Sequence, residues 1–358
     1  MWVTSSTSTA KTPTAIALGN FDGVHLGHRQ VIEPILPQAA PPPGVKPPEG
    51  SPSHPATFAS VQGYSDVSSQ AFSQDNAAAG FSAGQLRPPY ATVLTFFPHP
   101  REFFSGQSRP LLTPLDEKAD QLKRMGVEQL ILFPFNQQLS ELTPEAFVEE
   151  VLLQQLQAQR ISVGVDFRFG CRRAGTAEDL KAIAARQGIP VNIVALKQLG
   201  GERISSSNIR QALLAGDLDR AKALLGRAYS LTGRVVMGQQ LGRTLGFPTA
   251  NLKLLADKFL PRQGVYAVRV QGDRLAQAVE PLLGVMNIGY RPTVAGQQQT
   301  VEVHILNWSG DLYDQNLTVS LEAFLRPEQR FDSLEDLKRQ IQADCEAALG
   351  MLSRGDRR

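Results

Sequence analysis

Residues 19–28 read Gly-Asn-Phe-Asp-Gly-Val-His-Leu-Gly-His, directly after the apolar run Thr14–Leu18. The run is apolar enough for a buried parallel strand, and Arg29, Val31, Ile32 and Ile35 predict a helix beyond the turn. A helix start presents unpaired backbone N–H groups and the positive end of a dipole, so anions settle there. His25 and His28 stand at i and i+3, on one face of that first turn. Gly19, Gly23 and Gly27 let the backbone approach a nucleotide closely. Two imidazoles in this pattern could equally be two metal ligands, or one ligand beside a surface histidine. Zinc would want further Cys or His ligands, and the five His and two Cys of the chain are scattered. Embedded after a strand, the run favours a bound triphosphate.

A length of 358 residues predicts two domains, each large enough for a core of its own. The net charge of +2 argues against a nucleic-acid partner or an acidic membrane surface, so small molecules are the expected partners. Cys171 and Cys345 are too few for a disulfide framework, which fits a reducing cytosol and a cytoplasmic location. No apolar run approaches the roughly 20 residues that span a bilayer. The first dozen residues, rich in Ser and Thr, are expected to form a frayed tail. Ten of the 24 prolines fall within residues 37–89, among Ala, Ser, Gly and Gln and without helical or strand period. Such a low-complexity stretch buries too little apolar surface to offset its ordering entropy, and reads as a disordered insertion.

Beyond it, buried strands are expected at 91–97, 128–133, 161–165 and 191–196. Helices are expected at 114–125, 143–159 (capped by Thr143 and Pro144), 176–187 and 207–215. Strands alternating with helices imply an α/β doubly wound parallel sheet. After about residue 226 the pattern changes to short strands at 229–237, 264–270, 279–288, 300–306 and 317–325, then one helical period at 333–349. That pattern implies a small antiparallel barrel closed by a terminal helix.

Three further segments carry chemistry. Ile204-Ser-Ser-Ser-Asn-Ile-Arg210 sets Ser206 and Ser207 at a helix start and Arg210 one turn on, a second clamp for phosphate or an ordinary Ser-rich cap. Gly238, Gly242 and Gly246 space a loop able to fold over phosphates, although no Gly-Lys-Ser/Thr follows. Thr249 and Asn251 then offer hard oxygen ligands suited to magnesium; without context, the same run reads as a flexible turn. In Val301-Glu-Val-His-Ile305 the apolar side chains alternate, leaving Glu302 and His304 on the opposite face. A carboxylate there can accept a proton from an attacking hydroxyl, or serve as an outward charge.

Gly19–His28, Thr95-Phe-Phe-Pro-His-Pro100, Gly164-Val-Asp-Phe-Arg-Phe-Gly170, Ile204–Arg210 and the Gly-Phe-Pro-Thr-Ala-Asn251 run occur in the order of prokaryotic bifunctional riboflavin kinase/FAD synthetases. The chain resembles that family from about residue 14 to 350, interrupted by residues 37–89, an insertion longer than the family usually carries. The resemblance implies an FMN adenylyltransferase domain over 14–225, of nucleotidyltransferase type, and a six-stranded riboflavin kinase barrel over 226–358. It assigns Asp22, His25, His28, Ser206 and Arg210 to ATP and its phosphates, in one set with Gly19, Phe21, Gly27 and Ser207. Asn136, otherwise a loop asparagine, and Asp166, otherwise an ion-pair partner of Arg168, would line the flavin and adenine ends of that pocket. In the barrel the resemblance gives Gly238, Gly242, Gly246, Thr249 and Asn251 to Mg–ATP, Glu302 to the catalytic base and Arg291 to the flavin site. Phe97 stands where many relatives have an acidic residue, and Leu312-Tyr-Asp-Gln replaces a commoner Leu-Tyr-Gly turn; neither removes an assigned group.

The expected function is therefore phosphorylation of riboflavin to FMN, then adenylylation to FAD, by a monomer or weak homo-oligomer using ATP and Mg2+. A transferase acting on another phosphorylated acceptor would explain the two histidines but not the barrel. A flavin-binding regulator without turnover would not need His25, His28, Thr249, Asn251 and Glu302 together.

Overall fold

A computed structural model describes residues 1–37, 87–238, 240–272, 275, 280–293 and 296–355. The expectation for the proline-rich insertion falls almost wholly outside them. The first half contains β1 (Trp2–Thr4), β2 (Thr14–Leu18), α1 (Leu26–Ile32), β3 (Tyr90–Phe97), α2 (Pro100–Ser105), α3 (Leu115–Arg124) and β4 (Gln129–Pro134). It continues with α4 (Gln137–Glu141), α5 (Pro144–Ala146), β5 (Ala158–Gly164), the short pair β6 (Arg168–Phe169) and β7 (Gly175–Thr176), α6 (Ala177–Ala185) and β8 (Val191–Val194). A second short pair, β9 (Gln198–Leu199) and β10 (Glu202–Arg203), precedes α7 (Ser206–Ala215) and α8 (Leu218–Leu225).

β1, β4, β3, β2, β5 and β8 lie in that order in one all-parallel sheet. Every residue of β2 is buried. Its side chains alternate between two cores. Ile16 and Leu18 pack with Phe147, Leu152 and Leu180 on one face; Ala15 and Ala17 pack with Ile32, Leu122 and Leu130 on the other. A parallel sheet covered on both faces needs such strands, which explains the uninterrupted apolar runs.

Two expectations are corrected here. The amino terminus is not frayed: Trp2, Val3 and Thr4 pair in parallel with Gln129, Leu130 and Ile131. The helix expected over 143–159 starts on the Thr143 cap but continues from Phe147 as a π-helix ending at Gln155. Gln157, at φ 46°, turns the chain into β5.

The second half is a closed antiparallel barrel, β11 (Tyr229–Val236), β12 (Ala250–Leu254), β15 (Gly296–Ile305), β14 (Leu282–Thr293), β13 (Gly264–Gly272) and β16 (Asn316–Arg326), in that spatial order. α9 (Leu241–Thr244) lies in the glycine-rich run, and α10 (Leu334–Gly355) follows the barrel. β12 is a sixth strand within the segment that reads from sequence as a loop. Leu231, Val303, Val319 and Leu321 are buried in the barrel core, while Cys345, Ala348 and Leu352 of α10 pack outside it on Val265 and Val285.

Residues 1–36 and 89–358 belong to one compact unit. The barrel core is continuous with Leu112, Ile209, Leu213 and Leu224 of the first half. Buried Lys258 donates to the Leu112 carbonyl at 2.8 Å and pairs with Glu117. Beside them, Phe259 N donates to the Leu111 carbonyl at 2.8 Å.

Candidate active sites

The chain leaves β2 toward β3 and β4 on one side, then returns to β5 and β8 on the other. The strand order reverses between β2 and β5, and ligands of open α/β sheets bind at the carboxyl ends of strands at that point. A cavity of about 410 Å³ lies there. Its wall comes from four strand ends: Gly19–Phe21, His25, Gly27 and His28 after β2, His99 after β3, Asp166–Arg168 after β5 and Ala195–Lys197 after β8.

His25 caps α1; its Nδ1 accepts from the His28 amide at 3.2 Å. The imidazoles stack with centroids 3.6 Å apart. Burial drives the His25 pKa down to about 4, and burial with the neighbouring His25 holds His28 well below its ordinary value. Both rings are therefore neutral at pH 7. An Nδ1 that accepts a hydrogen bond leaves the proton of His25 on Nε2, as a donor. Phe21, fully buried at φ 49°, packs its ring 5.2 Å from His28.

The opposite wall is cationic. Arg101, Arg109, Arg168, Arg173, Lys197 and Arg203 line it against the single carboxylate of Asp166. Such a set suits a polyanion, and sequence reasoning assigned none of these six to it. The signal was present as basic residues in the segments that follow β3, β5 and β8, but only the sheet order brings those segments together. Ser206 and Ser207, at the start of α7, line the cavity, as do Gly19 and Gly27. Asp166 pairs with Arg203 rather than Arg168.

Three assigned residues are placed elsewhere. Arg210 pairs with Asp22, both side chains nine-tenths buried, and donates to the Pro110 carbonyl at 3.0 Å. Thr113 N donates to the other Asp22 oxygen at 3.2 Å. Neither Asp22 nor Arg210 lines the cavity; the pair ties the turn after β2 to α7. Asn136 caps α4, accepting from Leu139 N at 2.9 Å, and lies outside the cavity wall.

The barrel carries a second cavity of about 400 Å³, between its outer face and α10. Asn251 of β12 is the register partner of Glu302 of β15, which in turn is the partner of Asn287 of β14. The three polar side chains thus form a row across adjacent strands, since registered residues share a face. Gly242, Thr249, Phe247, Phe331 and Ile341 also line this cavity. An adjoining cavity of about 350 Å³ is lined by Arg243, Trp308, Tyr313 and again Thr249. Thr249 thus belongs to both.

His304 Nδ1 lies 2.8 Å from the Pro248 carbonyl and its ring meets Phe247 edge-on, holding the segment before Thr249 to the barrel. Arg326 grips buried Asp344 with Nε and Nη2 at 2.9 and 2.8 Å, tying β16 to α10 at the cavity floor. Gly238 approaches Asn251 so closely that a Cβ would overlap its amide. Gly246 takes φ +90°, and neither it nor Gly238 lines the cavity. Arg291 belongs to β14, and its side chain is outside the described residues. Among the described residues no cluster of three or more His, Cys, Asp or Glu could hold a metal by itself.

A parallel sheet with a cationic crevice at its switch point, joined to a closed barrel with its own pair of cavities, defines a two-site nucleotide-handling protein. A riboflavin kinase family model matches residues 225–352, and an FAD synthetase model matches 7–43 and 82–208. The bifunctional riboflavin kinase/FMN adenylyltransferase of Pseudomonas fluorescens is 37% identical over 332 residues, covering 92% of this chain and 90% of that protein. The protein of the same name from Escherichia coli (strain K12) is 36% identical over 330 residues, with 92% and 90% covered. A solved structure described as a macrolide-efflux protein of Streptococcus pneumoniae superposes with a TM-score of 0.73 at 27% identity, covering 97% of each chain. The chain belongs to the bifunctional riboflavin kinase/FMN adenylyltransferase family. Among the described residues no helix is long and apolar enough to cross a membrane.

Proposed function

We propose that this chain phosphorylates riboflavin to FMN at the barrel and adenylylates FMN to FAD at the crevice, using ATP twice. The reading rests chiefly on the row Asn251–Glu302–Asn287 in the cavity beside α10, next to Thr249, which lines both barrel cavities.

The cavity walled by Phe247, Phe331 and Ile341 suits the flat flavin ring, and the one walled by Trp308, Tyr313 and Arg243 suits ATP. Glu302 accepts the proton of the flavin's primary hydroxyl as the oxygen attacks the γ-phosphorus, and ADP leaves. The Thr249 hydroxyl and the Asn251 carbonyl are hard oxygen donors that leave room for phosphate and water, a set that fits magnesium. Bound there, the ion would neutralise charge on the transferring phosphates. Gly238, Gly242 and Gly246 allow the loop to close over them, and Arg291 serves the same site.

At the crevice, the FMN phosphate attacks the α-phosphorus of a second ATP and pyrophosphate leaves. Little covalent chemistry falls to the protein, so positioning and charge stabilisation dominate. Neutral His25 and His28 donate N–H groups to the phosphates, and Ser206, Ser207 and the six cations spread the developing charge. Gly19, Phe21 and Gly27 shape the turn; Asp22 and Arg210 act by holding it. Asp166 takes the flavin or adenine side. The two unpaired cysteines, Cys171 and Cys345, accord with a cytoplasmic enzyme, acting as a monomer or weak homo-oligomer on small molecules.

The test is a time course with riboflavin, ATP and magnesium, with the flavins separated. FMN should rise first and FAD follow. Binding of riboflavin without any product would refute the reading.

A further inference from the structure

The turn after β2 is unusual in its backbone. Phe21, Gly23 and Val24 have φ of 49°, 89° and 41°, a left-handed region that Phe and Val occupy only when the surroundings hold them there. Several of its polar groups are held by neighbouring elements. Thr113 Oγ1 accepts from Gly23 N at 2.9 Å, and Ser206 Oγ donates to the Asp22 carbonyl at 2.8 Å. The Gly23 and Val24 carbonyls are taken by one guanidinium: Arg227 Nη2 donates to Gly23 O at 2.8 Å and Nη1 to Val24 O at 3.2 Å. Arg227 lies beyond α8, within the stretch matched by the riboflavin kinase model.

The neighbours of Arg227 reinforce the contact. Gly226, at φ +74°, faces Leu26 with no room for a Cβ, and Leu225 approaches Gly23. Burial lowers the Arg227 pKa to about 10, so the guanidinium stays charged at pH 7. A partly buried cation that spends its guanidinium on two carbonyls is a costly device unless it fixes something. The carbonyls it fixes immediately precede His25.

We propose that Arg227 is a positioning residue of the adenylyl-transfer site, through which the start of the barrel half sets the turn that presents His25 and His28. This rests on the adenylyltransferase reading of the crevice. Without the two donations the left-handed turn relaxes, and the imidazoles lose their register with the cationic wall. The kinase site is untouched, because Arg227 lines neither barrel cavity.

The experiment compares wild type, Arg227→Met and Arg227→Lys in the full chain, measuring both half-reactions separately. A displacement of reacting groups by about 1 Å can cost on the order of a hundredfold in rate. Arg227→Met should therefore lower kcat for FMN adenylylation by about tenfold or more, with the KM for FMN nearly unchanged. Riboflavin phosphorylation by the same sample should match wild type. Arg227→Lys, able to serve one carbonyl, should recover part of the loss. Normal adenylylation in Arg227→Met overturns the proposal, and so does a parallel fall of both activities. If Arg227→Met does not fold, Arg227→Lys alone decides by the same split. Wild type that makes no FAD from supplied FMN refutes the adenylyltransferase reading instead.

Discussion

The His25 imidazole lies stacked on that of His28, with 3.6 Å between centroids, and both are buried enough to stay neutral in the folded chain. Their acid response has a definite sign. Below pH 6.5 the unfolded chain takes up protons that folded His25 refuses until about pH 4. Stability should therefore fall as pH drops through that window, by about 1.4 kcal/mol per pH unit for each such imidazole. Denaturant midpoints of wild type and His28→Gln between pH 7.5 and 4.5 check this. The variant should lose stability less steeply on acidification, and an equal slope would contradict the burial.

Asp22 and Arg210 should behave as one unit. Removing one member of a buried ion pair costs about 3–5 kcal/mol, because the other charge is stranded. Arg210→Met should show that loss in thermal or denaturant unfolding. Asp22→Asn combined with Arg210→Met should regain most of it. Additive losses in the double variant would show that the pair is not coupled.

Pair and turn also mark where sequence reading stops. The strand, turn and helix around His25 were legible because apolar run, glycines and helical spacing coincide within 20 residues or so. The closing of the barrel was legible in its alternating strands. The Asp22–Arg210 pair joins positions 188 apart in sequence, which no local pattern encodes. β1 was missed because so short a run, three residues, becomes a strand only against β4. β12 was hidden behind Gly and Pro, and its role is set by register with Glu302. The cationic wall is assembled from the segments that follow three strands, β3, β5 and β8, and appears only with the sheet order.

Glu302→Gln keeps shape and removes the proton acceptor. Loss of a general base typically costs about 100- to 10,000-fold. Riboflavin phosphorylation should fall within that range, while supplied FMN is still converted to FAD at the wild-type rate.

Gly238→Ala should damage the kinase step selectively. The added methyl meets the Asn251 side chain, a rigid neighbour on β12, and must displace either the loop or the amide. Magnesium titration of riboflavin phosphorylation should show a higher half-saturating concentration, with adenylylation of supplied FMN unchanged. An unaltered titration would remove Asn251 from the ion's surroundings.

The central claim is that two separate sites on one chain act in series. Mixing two variants, each lacking a different half-reaction, tests it most directly. Glu302→Gln supplied with riboflavin, ATP and magnesium should make almost no FMN, and His28→Ala should stop at FMN. Combined in one tube, they should produce FAD from riboflavin. A mixture that yields no FAD, from variants that have lost the same half-reaction, would contradict the assignment.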